Sequence, residues 1–139
     1  MTAGQPRAGT LSAPAVHAGQ PRAVAVCALR DLAVERGVAA LVGDQQVALV
    51  RLADDTVHAV SQRDPFSGAN VMSRGIVGTR RGEPTLASPM YKQVFSLRTG
   101  SCLDAAGRQP LEGSSPDLRS WAVEVRDGIV HVLLVEGGR

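Results

Sequence analysis

The stretch Trp121-Ala122-Val123-Glu124-Val125-Arg126-Asp127-Gly128-Ile129-Val130-His131-Val132-Leu133-Leu134-Val135 decides the fold. Trp121, Val123 and Val125 alternate with Ala122, Glu124 and Arg126. That is the period of two of a strand with one face turned to a core. Asp127-Gly128 supplies a turn with φ > 0, the kind that joins two right-twisted strands, and Ile129 to Val135 returns.

The same grammar runs back toward the N-terminus. Arg98-Thr99-Gly100 reverses the chain between Val94–Leu97 and Ser101–Leu103. Arg80-Arg81-Gly82-Glu83-Pro84 does so between Ile76–Thr79 and Thr85–Ala87. Gly43-Asp44-Gln45-Gln46 separates Val38–Val42 from Val47–Leu52, and Asp54-Asp55 turns into Val57–Ser61. Ala23–Ala28 is the first apolar run. Roughly nine or ten short strands predict an all-β chain, an antiparallel sandwich or barrel. No long stretch has helical periodicity; Leu29–Arg36 has room for one helical turn.

A chain of 139 residues, 44% of them hydrophobic, suits one domain with a real core. Residues 1–22 are rich in Ala, Gly, Pro and Gln, and Ala3-Gly4-Gln5-Pro6-Arg7-Ala8 recurs as Ala18-Gly19-Gln20-Pro21-Arg22-Ala23. So small and polar a segment is expected to be a flexible tail, with no continuous hydrophobic stretch of a secretory signal. Residues 136–139 are expected to fray, which leaves a β domain over 23–135. No apolar run approaches the ~20 residues of a membrane span. The net charge of +2 is no footprint for nucleic acid or an anionic membrane. The aromatic residues are Phe66, Tyr91, Phe95 and Trp121, too few for base-stacking platforms.

Cys27 and Cys102 form no C-x-x-C pattern and read as free thiols in apolar surroundings, consistent with a cytoplasmic protein. His17, His58 and His131 have no zinc spacing; the last two read as ordinary strand residues. Ser67, Ser73 and Ser88 lie in no nucleophile elbow, and there is neither a P-loop nor G-x-G-x-x-G. No catalytic residue and no directly bound small-molecule substrate are expected in this chain.

Two irregular segments interrupt the strands, Gln62–Gly75 and Pro89–Gln93, and Gln109–Leu118 is a third loop rich in Pro, Gly and Ser. The first two have the outline of a cluster cradle. A Rieske [2Fe–2S] centre takes one thiolate and one imidazole from each of two loops. Here the four places hold Asp64, Phe66, Ser88 and Tyr91. Phe66 has no donor atom, Ser88 is a poor substitute for a thiolate, and Asp64 before Pro65 also fits a turn cap. Phe66, Met72, Arg74, Met90, Tyr91, Lys92 and Gln93 are of types suited to docking a partner. Phe66 and Tyr91 could equally fold inward and fill the space of a cluster, and the two readings are compatible.

Asp64-Pro65-Phe66, Met72-Ser73-Arg74-Gly75, Ala87-Ser88-Pro89, Lys92-Gln93 with Phe95, and Gly100-Ser101-Cys102 occur in that order. This series resembles the small subunit of assimilatory NAD(P)H-dependent nitrite reductase, over roughly residues 23 to 134. The resemblance implies a Rieske-like fold without cluster ligands, residues 62–97 forming the degenerate cluster-binding subdomain. It implies a large catalytic subunit as partner in the cytoplasm. That subunit would carry FAD, sirohaem and a [4Fe–4S] cluster and reduce nitrite to ammonium in nitrate assimilation. Two alternatives stand beside it: a Rieske-type ferredoxin with unusual ligands, and an independent β-domain binding module.

Overall fold

In β3 (Gln45–Arg51) the apolar run Val47-Ala48-Leu49-Val50 lacks the alternation of a half-buried strand, because both of its faces are covered. Val47 and Leu49 enter one core cluster, Ala48 and Val50 another. The computed structural model describes residues 21–135, and in it this strand belongs to the middle of three layers. The middle sheet has the order β2-β3-β4-β9, with β2 at Gly37–Val42, β4 at Val57–Ser61 and β9 at Ser120–Trp121.

On one side lies the sheet β1-β11-β10, made of Pro21–Ala28, Ile129–Val135 and Val123–Arg126. Val24, Val130 and Val132 from it pack on Val47, Leu49, Val57, Ala59 and Trp121. On the other side lies the loop-bearing sheet β5-β6-β7-β8, made of Ile76–Arg80, Glu83–Ala87, Val94–Ser96 and Cys102–Asp104. Leu86, Phe95 and Leu97 cover Ala48, Val50 and Val60 there. Every paired strand is antiparallel, so the all-β sandwich with a smaller loop-bearing part holds.

The expected strands are all present, and three differences bear on the architecture. β1 begins at Pro21, two residues earlier than the sequence suggested, because Pro21 and Arg22 pair with Val135 and Leu134. The run from Trp121 to Arg126 is two strands. Trp121 pairs with Ala59 in the middle sheet, while Val123 pairs with Val132 in the outer one. The chain thus changes sheets at Ala122, whose carbonyl accepts from the Leu133 N–H. The loop-bearing sheet runs past residue 97 to Asp104. The first copy of the repeated hexapeptide, His17 and residues 136–139 lie outside the described residues.

A 3₁₀ turn at Leu29–Asp31 supplies the expected helical turn. Arg51 holds it to β3, donating to the carbonyls of Leu29 at 3.2 Å and Leu32 at 3.0 Å. Asp127 and Gly128 have φ of 51° and 76°, as the last hairpin requires. Cys27 and Cys102 are free and half-buried, one beside each core cluster. Burial pushes both thiols up from their ordinary range, with Asp31 adding at Cys27.

Gly100 has φ +82°, and a Cβ there would lie 2.1 Å from the Leu118 carbonyl oxygen. Gly82 has nearly the same φ, +81°, but open space around it. Gly100→Ala is therefore expected to cost more than about 2 kcal/mol, and Gly82→Ala only about 1 kcal/mol. Urea midpoints of the two variants check this; equal losses would contradict the packing described.

Candidate functional site

The first loop closes in steps like a short hairpin. Gln62 brackets its base: the side chain donates to Ser73 Oγ at 2.9 Å and accepts from the Ser73 N–H at 2.7 Å. Arg63 bridges Asn70, and the Asp64 N–H donates to the Ala69 carbonyl. The second loop closes when the Ser88 N–H donates to the Gln93 carbonyl at 2.8 Å. The Lys92 N–H returns to the Ser88 carbonyl, with Lys92 itself at φ 68°.

The two loops meet through Asp64 and Ser88, the side chains expected at the thiolate places. The Ser88 hydroxyl donates to Asp64 Oδ2 at 2.7 Å, and both residues are buried. The other Asp64 oxygen accepts the Phe66 N–H at 2.8 Å, the turn cap that Asp-Pro suggested. Ser88 Oγ in turn accepts the Met90 N–H at 3.1 Å. One carboxyl group and one hydroxyl therefore orient both loop tips.

The two imidazole places diverge. The Phe66 ring folds inward against Phe95, centroids 6.3 Å apart with planes at 56°. Tyr91 stays outside, 38% exposed, with the Arg108 guanidinium over its ring at 3.9 Å from the centroid. Of the residues proposed for docking, Phe66, Met72 and Gln93 are buried and cannot meet a partner directly. Phe66 and Met72 belong to the core cluster beneath the loops, and Gln93 reaches inward to the Ala105 carbonyl at 3.4 Å. Arg74, Met90, Tyr91 and Lys92 remain at the surface.

A [2Fe–2S] centre of Rieske type does not fit these residues. Of the four residues expected at ligand places, Asp64 and Ser88 bond to each other, Phe66 is a core phenyl ring, and Tyr91 lies under Arg108. Among the described residues no group of three or more His, Cys, Asp or Glu could hold a metal ion. No helix among them is long and apolar enough to cross a membrane.

His58 and His131 lie apart from the loops, in β4 and β11. His58 lines an open cleft of about 590 Å³ with Arg98, Asp54 and Thr56, and the cleft shares no residue with the two loops. Burial holds the His58 imidazole below its ordinary value of 6.5; Asp54 opposes the shift and Arg98 adds to it.

The comparisons with known proteins bear on this arrangement directly. A family model for the Rieske-like [2Fe-2S] domain matches residues 23–133. The nitrite reductase (NADH) small subunit of Escherichia coli (strain K12) is 37% identical over 108 residues, 77% of this chain and 93% of that one. The chain belongs to the nitrite reductase small-subunit family. A crystal structure provisionally assigned as the NADH-dependent nitrite reductase small subunit of Mycobacterium tuberculosis superposes with TM-score 0.72 at 44% identity. That match covers 83% of this chain and 96% of the other. The nitrite reductase [NAD(P)H] large subunit of Klebsiella oxytoca is 39% identical over 108 residues, 78% of this chain. This chain spans only 10% of that large subunit's length.

The sequence suggested the Asp64 turn cap and an inward Phe66, but not the contacts between distant segments. Asp64 pairs with Ser88 across 24 residues and Tyr91 stacks on Arg108 across 17, separations that no local pattern reports. Ser88→Ala is expected to lower stability by about 2 kcal/mol, since it strands a buried carboxyl oxygen. Asp64→Asn, which can still accept the Phe66 N–H, should cost less. Chemical denaturation of both variants measures this, and an unchanged Ser88→Ala midpoint would remove the bond from the account. For His58 the sign follows from its lowered proton affinity. The folded chain binds that proton less readily than the unfolded one, so stability is full above 6.5 and falls as pH drops from there through the folded value. The urea midpoint should decline as pH is lowered below 6.5, with a shallower slope in His58→Gln; identical slopes would contradict it.

Proposed function

We propose that this chain is the non-catalytic small subunit of a cytoplasmic NAD(P)H-dependent nitrite reductase, working by contact with a large catalytic subunit. The observation that carries the reading is the Asp64–Ser88 bond, which uses both thiolate places of a cluster cradle to fasten one loop to the other. A side-chain set built this way offers a fixed surface and no electron carrier. That argues against the ferredoxin alternative on the chemistry of the residues present.

The Klebsiella relative supports the partner. A segment like this chain is part of the same polypeptide as the rest of that large subunit. In the Escherichia coli relative the small-subunit portion accounts for nearly the whole chain, so there association would replace the covalent link. The reaction, nitrite to ammonium with electrons from NAD(P)H, would run on FAD, sirohaem and a [4Fe–4S] cluster in the large subunit. Arg74, Met90, Tyr91 and Lys92 are the residues of the original docking set that a partner can reach. Binding that favours the assembled form of the large subunit stabilises that form by linkage.

Co-expression of the large subunit with and without this chain tests the reading. The expected outcome is a co-purifying complex with higher or longer-lived nitrite-dependent NAD(P)H oxidation than the large subunit alone. No complex, together with indistinguishable activity and thermal inactivation, would refute it and favour an independent binding module.

A further inference from the structure

The third loop completes the surface that the first two begin. The Leu111 N–H donates to the Pro65 carbonyl at 2.9 Å, and the Leu111 methyl lies against Gly68. Arg63 reaches the same loop, donating to Ser114 Oγ at 3.3 Å. Arg108, the residue just before this loop, covers Tyr91. The contacts form a closed circuit: Leu111 to Pro65, Asp64 to Ser88, Ser88 to Met90, and Tyr91 to Arg108, three residues from Leu111. The three loops therefore present one contiguous face.

That face has a definite chemistry. Met90, Tyr91 and Leu111 are 46%, 38% and 40% exposed, large apolar groups left in water. Arg63, Lys92 and Arg108 are exposed around them. The Asp64 carboxyl is buried and used internally. Of the exposed acids in the loops, Asp117 is turned to the Cys102 N–H, which leaves Glu112 against the three cations. Tyrosine and arginine are the types most often found as binding anchors. The Arg108 stack holds Tyr91 in place before any partner arrives, so less side-chain freedom is lost on binding. A second copy of this chain is a poor occupant, because it would bring two cationic rims together.

We propose that this three-loop face, with Met90, Tyr91 and Leu111 at its centre and Arg63, Lys92 and Arg108 around them, binds an apolar, carboxylate-rimmed surface of the large nitrite reductase subunit. The proposal rests on the companion reading above and adds the third loop and the charge of the partner's surface. Its test is a titration of the separately purified large subunit with the full-length chain, at low salt and at about 0.5 M NaCl. The variants are Arg63→Glu/Arg108→Glu, Leu111→Asp and, on β2 outside the three loops, Leu41→Asp, where Leu41 is 71% exposed.

Charge reversal and Leu111→Asp should each weaken binding at least about tenfold. Salt should weaken the wild-type complex, and Leu41→Asp should bind as wild type. Circular dichroism and thermal midpoints confirm that the variants fold, and the wild-type salt response depends on no variant. Wild-type affinity retained by the charge reversal and unmoved by salt would overturn the three-loop face while leaving the companion reading intact. Damage from Leu41→Asp equal to that of the reversal would do the same. No wild-type binding under any condition would overturn the companion reading and this proposal with it.

Discussion

A single hydrogen bond between two buried side chains, Ser88 to Asp64, sets the character of this molecule. A cradle for a [2Fe–2S] centre converges two loops because a metal cluster pulls them together. Remove the cluster and the loop tips have no reason to meet, while their backbone groups still need partners. Here the carboxyl of Asp64 caps its own turn through the Phe66 N–H and accepts the Ser88 hydroxyl with its second oxygen. Ser88 then caps the other tip through the Met90 N–H. The Phe66 and Met90 N–H groups at the two tips are thus paired without iron, and Phe66 packs on Phe95 beneath them.

That bond is effective because of where the sheets put it. In the middle sheet β3 and β4 are buried on both faces, so the outer sheet and the loop-bearing sheet are both fixed to them by apolar contact. Phe95, Leu86 and Leu97 anchor the loop-bearing sheet on Ala48, Val50 and Val60. Loop 62–75 leaves β4 in the middle sheet and enters β5 in the loop-bearing one, so its two ends are held by different layers. The distance over which Ser88 must find Asp64 is thereby decided by core packing, and the hydrogen bond needs only to orient what the core has already brought near.

Much of this was legible in the residues. Alternation with turn chemistry identified the tight hairpins, since short reversals rich in Asp and Gly have few other uses, but not the pairing of β6 with β7 across residues 88–93. The sheet change at Ala122 was not legible, because the period of two runs unbroken from Trp121 to Arg126 while the pairing partner changes from β4 to β11. In the loops, Asp64, Phe66, Ser88 and Tyr91 drew notice by type and spacing. Their directions were not legible. Phe66, Met72 and Gln93 have the composition of an interface and the position of a core, and only the packing of the loop-bearing sheet separates the two. Leu111 lay in a loop read only as rich in Pro, Gly and Ser, Arg108 stands just before it, and the partners of both are distant in sequence.

The most direct measurement is amide hydrogen exchange by NMR on chain purified in the presence of a chelator, read at Phe66, Gly68, Ser88 and Lys92, whose N–H groups close the two loops. If side chains hold the tips, these amides are protected in iron-free protein, and adding ferrous iron and sulfide changes nothing. Free exchange at all four, with protection appearing only once iron and sulfide are supplied, would contradict the account.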